Sequence, residues 1–422
     1  MDKIKQKNIP DGWQVKSLAK LGSFFKGMGI SKADLSESGC YAVRYGELYT
    51  KHNYKIKKIY SFIKKDVISY AKKIRKGDIL FAGSGETIDE IGKSAVYLFD
   101  EICYAGGDTI VFTPKEDDGL YLAYKLNIGH CRKELRRKGQ GQSVVHIYKS
   151  DIEKISLSLP PLPEQKRIVA VLETWDEYIE GLDRKIEIKK NIKKGLMQQL
   201  LTGKKRLKGF SGEWKKNILA KIGSFSKGAD ITKADLKESG CNAVRYGELY
   251  TDHDVYIKKI RSFISEEVAG KAKLISEGDI LFAGSGETID EIGKSAVYLF
   301  VEKCYAGGDI IVFTPRECDS IFLAYTLNMG GCRKAIRRIG QGQSVVHVYK
   351  KDLEKIAVDI PSVKEQQAIA DILTKADDEI EALSKKKTLI TAQKKYLLNN
   401  LIGGNIRTPE NLLTRDQKHE KN

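Results

Sequence analysis

Hydrophobic residues recur every three or four positions along two long segments of the chain, residues 164–202 and 365–402. Neither segment contains a proline, so each is predicted to form one continuous amphipathic helix, roughly 58 Å long. A helix of that length extends beyond a single globular domain, so its apolar side needs another helix, and the other segment is the obvious partner. The apolar positions are Ile168, Leu172, Trp175, Ile179, Leu182, Ile186, Leu196 and Leu200 in the first helix and Ile369, Leu373, Ala376, Ile380, Leu383, Ile390, Leu397 and Leu401 in the second.

The helices belong to a duplication that spans most of the chain. VRYGELYT at Val43 recurs at Val244, GDILFAGSGETIDEIGKSAVYLF at Gly77 recurs at Gly278, and GQGQSVVH at Gly139 recurs at Gly340, always 201 residues later. About two thirds of positions 13–160 are identical in the second copy. The predicted order is a globular domain (1–162), a helix (163–203), a second globular domain (204–363), a second helix (364–404) and a polar tail (405–422).

Each globular domain combines strand and helix patterns without regular alternation. We expect a strand-like piece over residues 13–25, strands at DILFAG, SAVYLF and TIVFTP, a helix over 120–138, and a closing strand at 144–147. The prolines of LPPLPEQ end that strand, and Glu164 then opens the long helix. The predicted fold class is α+β: two similar mixed domains, each followed by a long helix, with the helices paired as an antiparallel coiled coil of pseudo-twofold symmetry.

The charge of the chain favours a polyanionic partner, since the formal net charge is +17. We expect a cytoplasmic protein without a membrane partner, because no apolar run approaches eighteen residues and the N-terminal sequence lacks an apolar signal region. The seven cysteines include no C-x-x-C pair, and the histidines lack neighbours with metal-ligand spacing. Reduced structural thiols and no metal site are predicted.

The junction LPPLPEQKRIVAVL, its counterpart EQQAIADIL, the KGDILFAGSG turn and the LLTGKKR helix end resemble the specificity subunit of type I restriction-modification enzymes. The resemblance covers essentially the whole chain. It implies that the globular domains are target recognition domains for double-stranded DNA, and that the helices space them and dock two modification subunits. S-adenosylmethionine and adenine-N6 methyl transfer would belong to those subunits. ATP and Mg would belong to a restriction subunit, whose presence the sequence leaves open.

Two features depart from that family's usual pattern. The second junction, IPSVKEQ, lacks two prolines of the first. The two globular domains are also nearly alike, whereas the family usually carries unlike ones, so we expect a bipartite target with near-palindromic halves. Differences between the copies cluster at Met28 and Gly29 against Ala229 and Asp230, and at residues 51–55 against 252–256, where any inequality of the half-sites is expected. Apolar helix residues such as Val169 and Met197 are candidates for docking partners.

The sequence leaves two alternatives to a noncatalytic recognition subunit. FAGSG at Phe81 and Phe282 matches the F-x-G-x-G loop of S-adenosylmethionine enzymes, which suggests a fused adenine-N6 methyltransferase. The strand SAVYLF follows too soon for a crossover helix, and no Asn-Pro-Pro-Tyr or Asp-Pro-Pro-Tyr motif occurs. The other alternative is a coiled-coil adaptor without DNA contact. No catalytic residue and no cofactor are predicted for this chain.

Candidate DNA contacts lie on glycine-rich turns, where backbone approaches phosphates and polar side chains reach base edges. The candidates in the first copy are Ser84, Glu86, Thr87, Gln140, Gln142 and Ser143, and in the second copy Ser285, Glu287, Thr288, Gln341, Gln343 and Ser344. Arg44, Tyr45, Arg245 and Tyr246 are candidates either for contacting bases or for bracing the site. Candidate phosphate contacts are Lys93, Arg132, Lys133, Arg136 and Arg137 with their copies Lys294, Arg333, Lys334, Arg337 and Arg338. The alternatives for these residues are glycines that only shape turns and charges that are only solvated.

Overall fold

The computed structural model describes residues 9–229 and 231–412. The chain folds as two compact units: unit 1 combines residues 1–182 with 386–422, and unit 2 contains residues 183–385. Each unit therefore holds one globular domain together with a part of both long helices. Asp230 and residues 413–422 of the predicted polar tail lie outside the described residues.

Short strands and helices make up the globular domain of unit 1. Its strands are β1 (Gln14–Ser17), β2 (Gly22–Lys26), β3 (Leu35–Ser36), β4 (Cys40–Val43), β5 (Ser61–Ile63), β6 (Lys72–Ile74), β7 (Ile79–Ala82), β8 (Ser84–Gly85), β9 (Ser94–Val96), β10 (Cys103–Ala105), β11 (Thr109–Pro114), β12 (Val145–His146) and β13 (Ser156–Leu159). Its helices are α1 (Leu18–Leu21), α2 (Glu47–Thr50), α3 (Gly119–Asn127), α4 (Gly129–Arg137), α5 (Lys149–Ile152) and the long α6 (Leu162–Leu200), with 3₁₀ turns at Lys32–Asp34 and Lys65–Ser69.

Two main sheets form the centre of this domain. One is antiparallel with the order β2-β11-β7-β9, and the other has the order β3-β5-β4-β10-β6 with β4 and β10 parallel. Two-stranded ribbons pair β1 with β13 and β8 with β12. The buried rings of Phe81, Phe112, Tyr121 and Tyr124 join the first sheet to α3 and to the start of α6 in one core. Burial of this apolar surface is the main source of the domain's stability.

Three predicted elements differ from the structure. The helix expected over 120–138 is divided into α3 and α4, because Ile128 is extended and Gly129 has a φ of 57°. The strand-like piece at 13–25 is interrupted by α1, and only Ser94–Val96 of SAVYLF forms a strand. Asp118 caps α3 by accepting hydrogen bonds from the Leu120 and Tyr121 backbone N–H groups. The extended Ile128 and the left-handed Gly129 thus interrupt an otherwise helical pattern.

The globular domain of unit 2 has the same order of elements. Its strands are β14 (Lys215–Ile218), β15 (Gly223–Lys227), β16 (Leu236–Lys237), β17 (Cys241–Val244), β18 (Ser262–Ile264), β19 (Lys273–Ile275), β20 (Ile280–Ala283), β21 (Ser285–Gly286), β22 (Ser295–Val297), β23 (Cys304–Ala306), β24 (Ile310–Pro315), β25 (Val346–His347) and β26 (Ala357–Ile360). Its helices are α7 (Leu219–Ile222), α8 (Glu248–Thr251), α9 (Glu266–Ala269), α10 (Ser320–Leu327), α11 (Gly330–Arg338), α12 (Lys350–Leu353) and the long α13 (Val363–Gly403), with a 3₁₀ turn at Lys233–Asp235. The sheet orders, β15-β24-β20-β22 and β16-β18-β17-β23-β19, match those of unit 1.

The helices α6 and α13 run antiparallel within unit 1. Glu164 at the start of α6 binds Arg407 just after α13, and Asp176, three turns later, accepts from Lys394 at 2.6 Å. Lys386 lies over the Tyr178 ring at 5.5 Å from its centroid. Residues further along α6 contact residues with lower numbers in α13. The two helices therefore run antiparallel, as the sequence predicts.

Unit 2 shows the same antiparallel pairing with the roles of the helices exchanged. Here Lys193 of α6 binds Asp377 of α13 at 2.6 Å, and Lys189 binds Glu379 at 2.8 Å. Arg206, just after α6, binds Glu365 near the start of α13 at 2.7 Å. The junction that lacks two prolines still begins its helix at Val363, the position equivalent to Leu162.

The surface of the helix pair differs from expectation at two residues. Val169 is only 8 % exposed and belongs to the core of unit 1, and Met197 packs against the core of unit 2. Val169 is therefore not available for docking a partner, whereas Met197 keeps part of its surface exposed. In the part of the chain that the structure describes, the exposed large apolar side chains of α6 and α13 are instead those of Leu162, Tyr178, Ile188, Ile192, Val363, Leu389 and Tyr396. Among the described residues, no helix is both long enough and apolar enough to cross a membrane.

Candidate nucleic-acid interface

Two of the predicted DNA-contacting turns lie side by side in unit 1. Strand β8 pairs with β12 so that Gly85 faces Val145 and Ser84 faces His146. Loop 86–91 leaves the end of β8, and loop 139–144 leads into the start of β12, so both loops emerge from the same end of this antiparallel ribbon. The structure therefore brings Glu86, Thr87 and the three polar residues of the second loop onto one surface.

Loop 86–91 is held by charged side chains from within and from α4. The Glu90 carboxylate accepts from the backbone N–H groups of Glu86 (2.7 Å) and Thr87 (3.2 Å). The Arg132 guanidinium donates to the carbonyl oxygens of Asp89 and Ile91, at 2.6 and 2.7 Å. Burial lowers the pKa of Arg132 to about 10, which still leaves it charged at neutral pH. The exposed side chains of Glu86 and Thr87 are thus presented from a fixed backbone.

Loop 139–144 is a tight turn closed by backbone hydrogen bonds. The N–H of Gln140 donates to the His146 carbonyl (2.9 Å), and the N–H of His146 donates back (2.7 Å). Gly141 has a φ of 119°, and a Cβ there would lie 2.1 Å from the Val144 carbonyl oxygen. Only glycine fits that position. The side chains of Gln140, Gln142 and Ser143 are exposed.

Ser84 has a different position from the other candidates, since it is only 2 % exposed. Its hydroxyl lies 2.8 Å from Nδ1 of His146, whose ring stacks on Tyr148 with centroids 6.5 Å apart. Ser285 in unit 2 is equally buried and makes the same contact with His347 at 2.8 Å. Burial does not support base contact by these two serines, and their geometry orients the histidine rings instead.

Arg44 and Tyr45 flank the loops from the start of α2. Arg44 Nε donates to the Ser61 hydroxyl at 3.2 Å and lies 3.5 Å from the buried Glu47 carboxylate, so the guanidinium braces this corner while remaining partly exposed. The Tyr45 ring lies 6.4 Å from the Tyr49 ring. Burial, followed by the nearby charge of Glu90, raises the pKa of Tyr49. Tyr45 and Tyr49 also pack against the apolar cluster that contains Leu80 and Ala82 of β7. We call the surface that these two tyrosines form with loops 86–91 and 139–144 the recognition face of unit 1.

Unit 2 has the same recognition face, built from Tyr246, Tyr250 and loops 287–292 and 340–345. Glu291 accepts from the N–H groups of Glu287 and Thr288 at 2.8 and 3.1 Å. Gln341 and His347 exchange backbone hydrogen bonds, and Gly342 has a φ of 124°. The predicted polar residues Gln341, Gln343 and Ser344 are exposed, as are Glu287 and Thr288. Arg245 is braced by Glu248 and Ser262, as Arg44 is by its partners.

The candidate phosphate contacts are less uniform than the sequence suggests. Arg136 pairs with Asp89 at 2.9 Å, and Arg337 pairs with Asp290 at 2.9 Å, so both guanidinium groups hold the loops. Arg333 donates to the Asp290 and Ile292 carbonyls, as Arg132 does to their equivalents. Arg137 pairs with Glu134, whereas its copy Arg338 has Ala335 at that position. Lys93 and Lys294 are half-buried, and Lys133 and Lys334 are exposed.

The recognition face also exposes apolar and aromatic residues that are not among the predicted DNA contacts. Ile88 and Val144 are exposed at the loop tips (44 and 48 %), and Tyr148 is 52 % exposed beside His146. The same side chains are exposed in unit 2 at Ile289, Val345 and Tyr349. Apolar side chains can contact thymine methyl groups, and aromatic rings can pack on sugars or bases. Hydrophobic residues inside turn-forming, repeated segments were the available signal.

The F-x-G-x-G match at Phe81 has a local structural explanation. Strand β7 is flanked by antiparallel partners on both sides, so no parallel strand–helix–strand unit begins there. A Cβ on Gly83 would lie 2.6 Å from the Asp108 carbonyl oxygen, and one on Gly85 would lie 2.7 Å from Cβ of Glu90. Close packing within the domain thus accounts for both glycines. In the described part of the chain, no group of three or more His, Cys, Asp or Glu side chains is placed to hold a metal ion.

Comparison with known families shows what the chain is related to. A family model described as the type I restriction modification DNA specificity domain matches residues 10–197 and 211–392. The chain belongs to this family. Each match includes one globular domain and most of the long helix after it, so the duplication seen in the sequence corresponds to two specificity domains.

Curated relatives of this specificity subunit match nearly its full length. The chain is 24 % identical to the type I restriction enzyme MjaVIII specificity subunit of Methanocaldococcus jannaschii, with 94 % of both chains covered. It is 25 % identical to the putative MjaX specificity subunit of the same organism, with 94 % of this chain and 95 % of that protein covered. Its fold is similar to the crystal structure of the type I system S subunit from M. genitalium, with a TM-score of 0.59, 17 % identity, and coverage of 94 and 98 % of the two chains.

Family membership confirms the predicted architecture of two mixed helix–sheet domains, each followed by a long helix. The specificity domain is a DNA-recognition module, so the positive charge of the chain and the exposed polar loops of each unit acquire a common interpretation. The individual residues that contact DNA remain predictions.

Proposed function

We propose that this specificity subunit directs methylation to a bipartite DNA target, with the recognition face of each unit contacting one half-site. The observation that carries the proposal is the identity of the two faces. Residues 83–99 recur without a change at 284–300, and GQGQSVVH at Gly139 recurs at Gly340. Equal surfaces recognise equal base pairs, so the two half-sites are expected to be nearly palindromic.

The roles that we assign to the residues of each face follow from the exposure of their side chains. Gln142 and Gln343, at the exposed tips, are the best-placed side chains for bidentate contact with adenine, since a glutamine amide matches its N6 and N7. Glu86 and Thr87 are presented by a backbone that Glu90 and Arg132 hold rigid. Rigid presentation lowers the conformational entropy lost on binding. We assign Ser84 and Ser285 to positioning of His146 and His347.

We assign phosphate contacts to exposed cationic side chains near the loops that do not form the ion pairs described above. Lys133, Lys334 and Arg338 are exposed on α4 and α11, the helices that brace the two loops. Neutralising phosphates releases condensed counterions, so these residues add affinity for any duplex. Arg136 and Arg337 act mainly through the aspartates that they hold in place.

The long helices space the two recognition faces and supply the surface for modification subunits. Ile188 and Leu389 are equivalent positions, 58 and 66 % exposed, and Ile192 and Tyr396 are 50 and 62 % exposed. Large apolar side chains exposed on a helix, one or two turns apart, are typical of a helix-docking surface. The repetition of Ile188 as Leu389 fits two modification subunits per chain.

The chain itself is proposed to be noncatalytic. S-adenosylmethionine and adenine-N6 methyl transfer are assigned to the modification subunits, and ATP and Mg to a restriction subunit where one is present. The support is that the strand leading into the F-x-G-x-G loop of each described domain has antiparallel neighbours, and that close packing accounts for the glycines of the loop.

Methylation mapping tests this proposal. The chain is expressed with its modification subunits in a methylation-free host, and methylated adenines are located across the genome. We expect one bipartite motif with related, inverted halves separated by a constant number of unspecified bases. Unrelated halves would contradict the equivalence of the two faces. Methyl transfer by the purified chain alone would support a fused methyltransferase, and an assembled complex that binds no duplex would support an adaptor.

A further inference from the structure

An open pocket lies beside Tyr45 and Tyr49 on the recognition face of unit 1. Its lining comprises Arg44, Tyr45, Gly46, Glu47, Tyr49 and Thr50, together with Lys51 and Tyr60. The first six residues recur unchanged in unit 2, whereas Lys51 is replaced by Asp252 and Tyr60 by Arg261. The two units therefore differ at only two of these eight positions, and both changes alter the chemistry of the side chain.

In unit 1 the two variable residues lie against each other. The Lys51 ammonium lies 5.8 Å from the centroid of the Tyr60 ring, and Lys58 approaches the same ring at 5.6 Å. Tyr60 is 47 % exposed, so part of its side chain is accessible to a ligand. This corner combines two cations with an aromatic surface.

In unit 2 the equivalent residues form an ion pair. Arg261 Nε lies 3.6 Å from the Asp252 carboxylate, with the arginine side chain 58 % exposed and the aspartate 26 %. The formal charge of Lys51 and Lys58 is +2, whereas that of Asp252, Lys259 and Arg261 is −1 + 1 + 1 = +1. The contact with Asp252 restricts the orientation of the Arg261 guanidinium, whose remaining N–H groups can then donate to a ligand.

The two units therefore differ at both members of this contacting pair. Asp252 has a cationic partner in unit 2, and an aspartate at position 51 would face Tyr60 unless that residue also became arginine. The loops beside the pocket are identical in the two units. Any difference in the bases that the two faces recognise must then come from outside those loops. In unit 1 this pair lies in the same pocket as Tyr45 and Tyr49.

We propose that the Lys51–Tyr60 and Asp252–Arg261 pairs determine a difference between the two half-sites, an inference that rests on the proposed function. Arg261, oriented by Asp252, has the two-pronged donor geometry that fits O6 and N7 of guanine in the major groove. Lys51 is a point charge, and Tyr60 offers an aromatic surface, so unit 1 contacts phosphate and sugar at the equivalent position without choosing a base. The second half-site then requires a guanine at a position that is unspecified in the first.

Exchange of the pairs tests the proposal in the complete modification complex. The variants are K51D/Y60R, which gives unit 1 the pair of unit 2, and D252K/R261Y, which does the reverse. Methylated adenines are mapped for each. The unexchanged complex should show one asymmetric guanine. K51D/Y60R should make it symmetric by adding guanine to the first half-site, and D252K/R261Y should remove it from the second.

A binding measurement covers the case in which an exchange impairs assembly. Arg261→Lys keeps the charge but loses the forked donor geometry. Fluorescence anisotropy compares duplexes that differ only at the asymmetric base pair, and we expect a preference of roughly tenfold to hundredfold for guanine that Arg261→Lys abolishes. The matched control is I102K with K303I, an exchange of exposed residues outside the pocket lining, which should leave the motif unchanged.

The outcomes separate this inference from the proposed function. A bipartite motif that is symmetric at every position, or an asymmetric one that neither exchange alters, overturns the assignment of these pairs and leaves bipartite recognition intact. Unrelated half-sites, or a complex without adenine methylation, contradict the proposed function itself.

Discussion

Arg407 forms a bidentate ion pair with Glu164, which lies 243 residues earlier in the sequence. Its Nε and Nη2 donate to the two carboxylate oxygens at 2.5 and 2.7 Å, and its Nη1 donates to the Asp11 carbonyl at 2.9 Å. The Glu164 side chain is only 4 % exposed. The segment after α13 is therefore packed onto the start of α6, rather than forming a free polar tail from residue 405, and Thr408 is buried there as well.

Removal of this arginine should destabilise unit 1. Arg407→Ala leaves a buried carboxylate without its bidentate partner, and we expect the free energy of unfolding to fall by about 1–2 kcal/mol, a value reduced because Arg407 itself is 44 % exposed. Chemical denaturation of the chain measures this loss. Arg206→Ala should act similarly on unit 2, where Glu365 has the equivalent pairing.

The control for both variants is Lys271→Ala, which removes an exposed pair with Glu267 whose side chains are 68 and 82 % exposed. A surface pair of that kind should contribute less than about 0.5 kcal/mol. Equal losses for Lys271→Ala and Arg407→Ala would show that the bidentate contact adds nothing beyond surface charge.

A buried Tyr–Asp–Lys contact should couple the helices in each unit. In unit 2, Asp377 accepts from Tyr325 and from Lys193, and both charged side chains are 15 % exposed. Asp377→Leu should cost about 2–3 kcal/mol, because it leaves the lysine without its counterion. The double variant Asp377→Leu with Lys193→Met removes both charges and should cost less than the sum of its single changes.

A double-mutant cycle by denaturant unfolding measures that coupling, which we expect to exceed about 1 kcal/mol. Asp176 and Lys394 provide an independent repeat of the same cycle in unit 1, where their atoms lie 2.6 Å apart. Additive single losses in both units would contradict a specific ion pair between the helices.

The glutamines at the loop tips should determine sequence preference rather than general affinity. Gln142→Ala should weaken binding to the target by roughly 1–3 kcal/mol and relax one position of the first half-site, since a bidentate amide contact is lost. Gln343→Ala should do the same in the second half-site. Methylation mapping and duplex titration with the assembled complex measure both effects.

Arg338→Ala is the contrasting variant, because this exposed residue is assigned to phosphate. It should weaken binding to all duplexes alike and reduce the dependence of affinity on salt by about one counterion. A relaxed motif after Arg338→Ala, or an unchanged motif after both glutamine substitutions, would reverse these assignments.

The sequence predicted the periodic and repeated parts of the fold but not the contacts that define the loops. The stripe that contains Leu172 and Leu373 was sufficient to predict two long helices, because helical periodicity is a local property. Arg132 and Arg136 looked like phosphate contacts, and only the folded chain shows that they reach back to Asp89, more than forty residues away. Val169 appeared free to dock a partner because its burial depends on a core formed by distant segments.

The buried His52, whose ring lies 5.6 Å from the Tyr60 ring, gives a prediction about pH. His52 is 7 % exposed, its Nε2 has no hydrogen-bond partner among the described residues, and burial lowers its pKa to about 4. Above pH 6.5 both the folded and the unfolded chain hold this group neutral, so it causes no pH dependence. Between pH 6.5 and 4 only the unfolded chain takes up the proton, so stability falls with pH, by about 2 kcal/mol at pH 5. Below about pH 4 the folded chain is protonated as well, and the loss stops growing.

His52→Gln removes the titration while keeping a polar side chain of similar length. The variant and the unsubstituted chain are unfolded with denaturant at pH 7.5 and pH 5, and the quantity compared is the difference between their free energies of unfolding. Because other groups titrate equally in both proteins, that difference should shift by about 2 kcal/mol in favour of the variant at pH 5. Burial also lowers the pKa of His253, so His253→Gln should shift the difference in the same direction. The nearby charges of Glu248 and Asp252 oppose the effect of burial on that pKa. Parallel stability curves for the His52 variant and the unsubstituted chain would show that the buried ring is protonated as readily in the folded state as in the unfolded one.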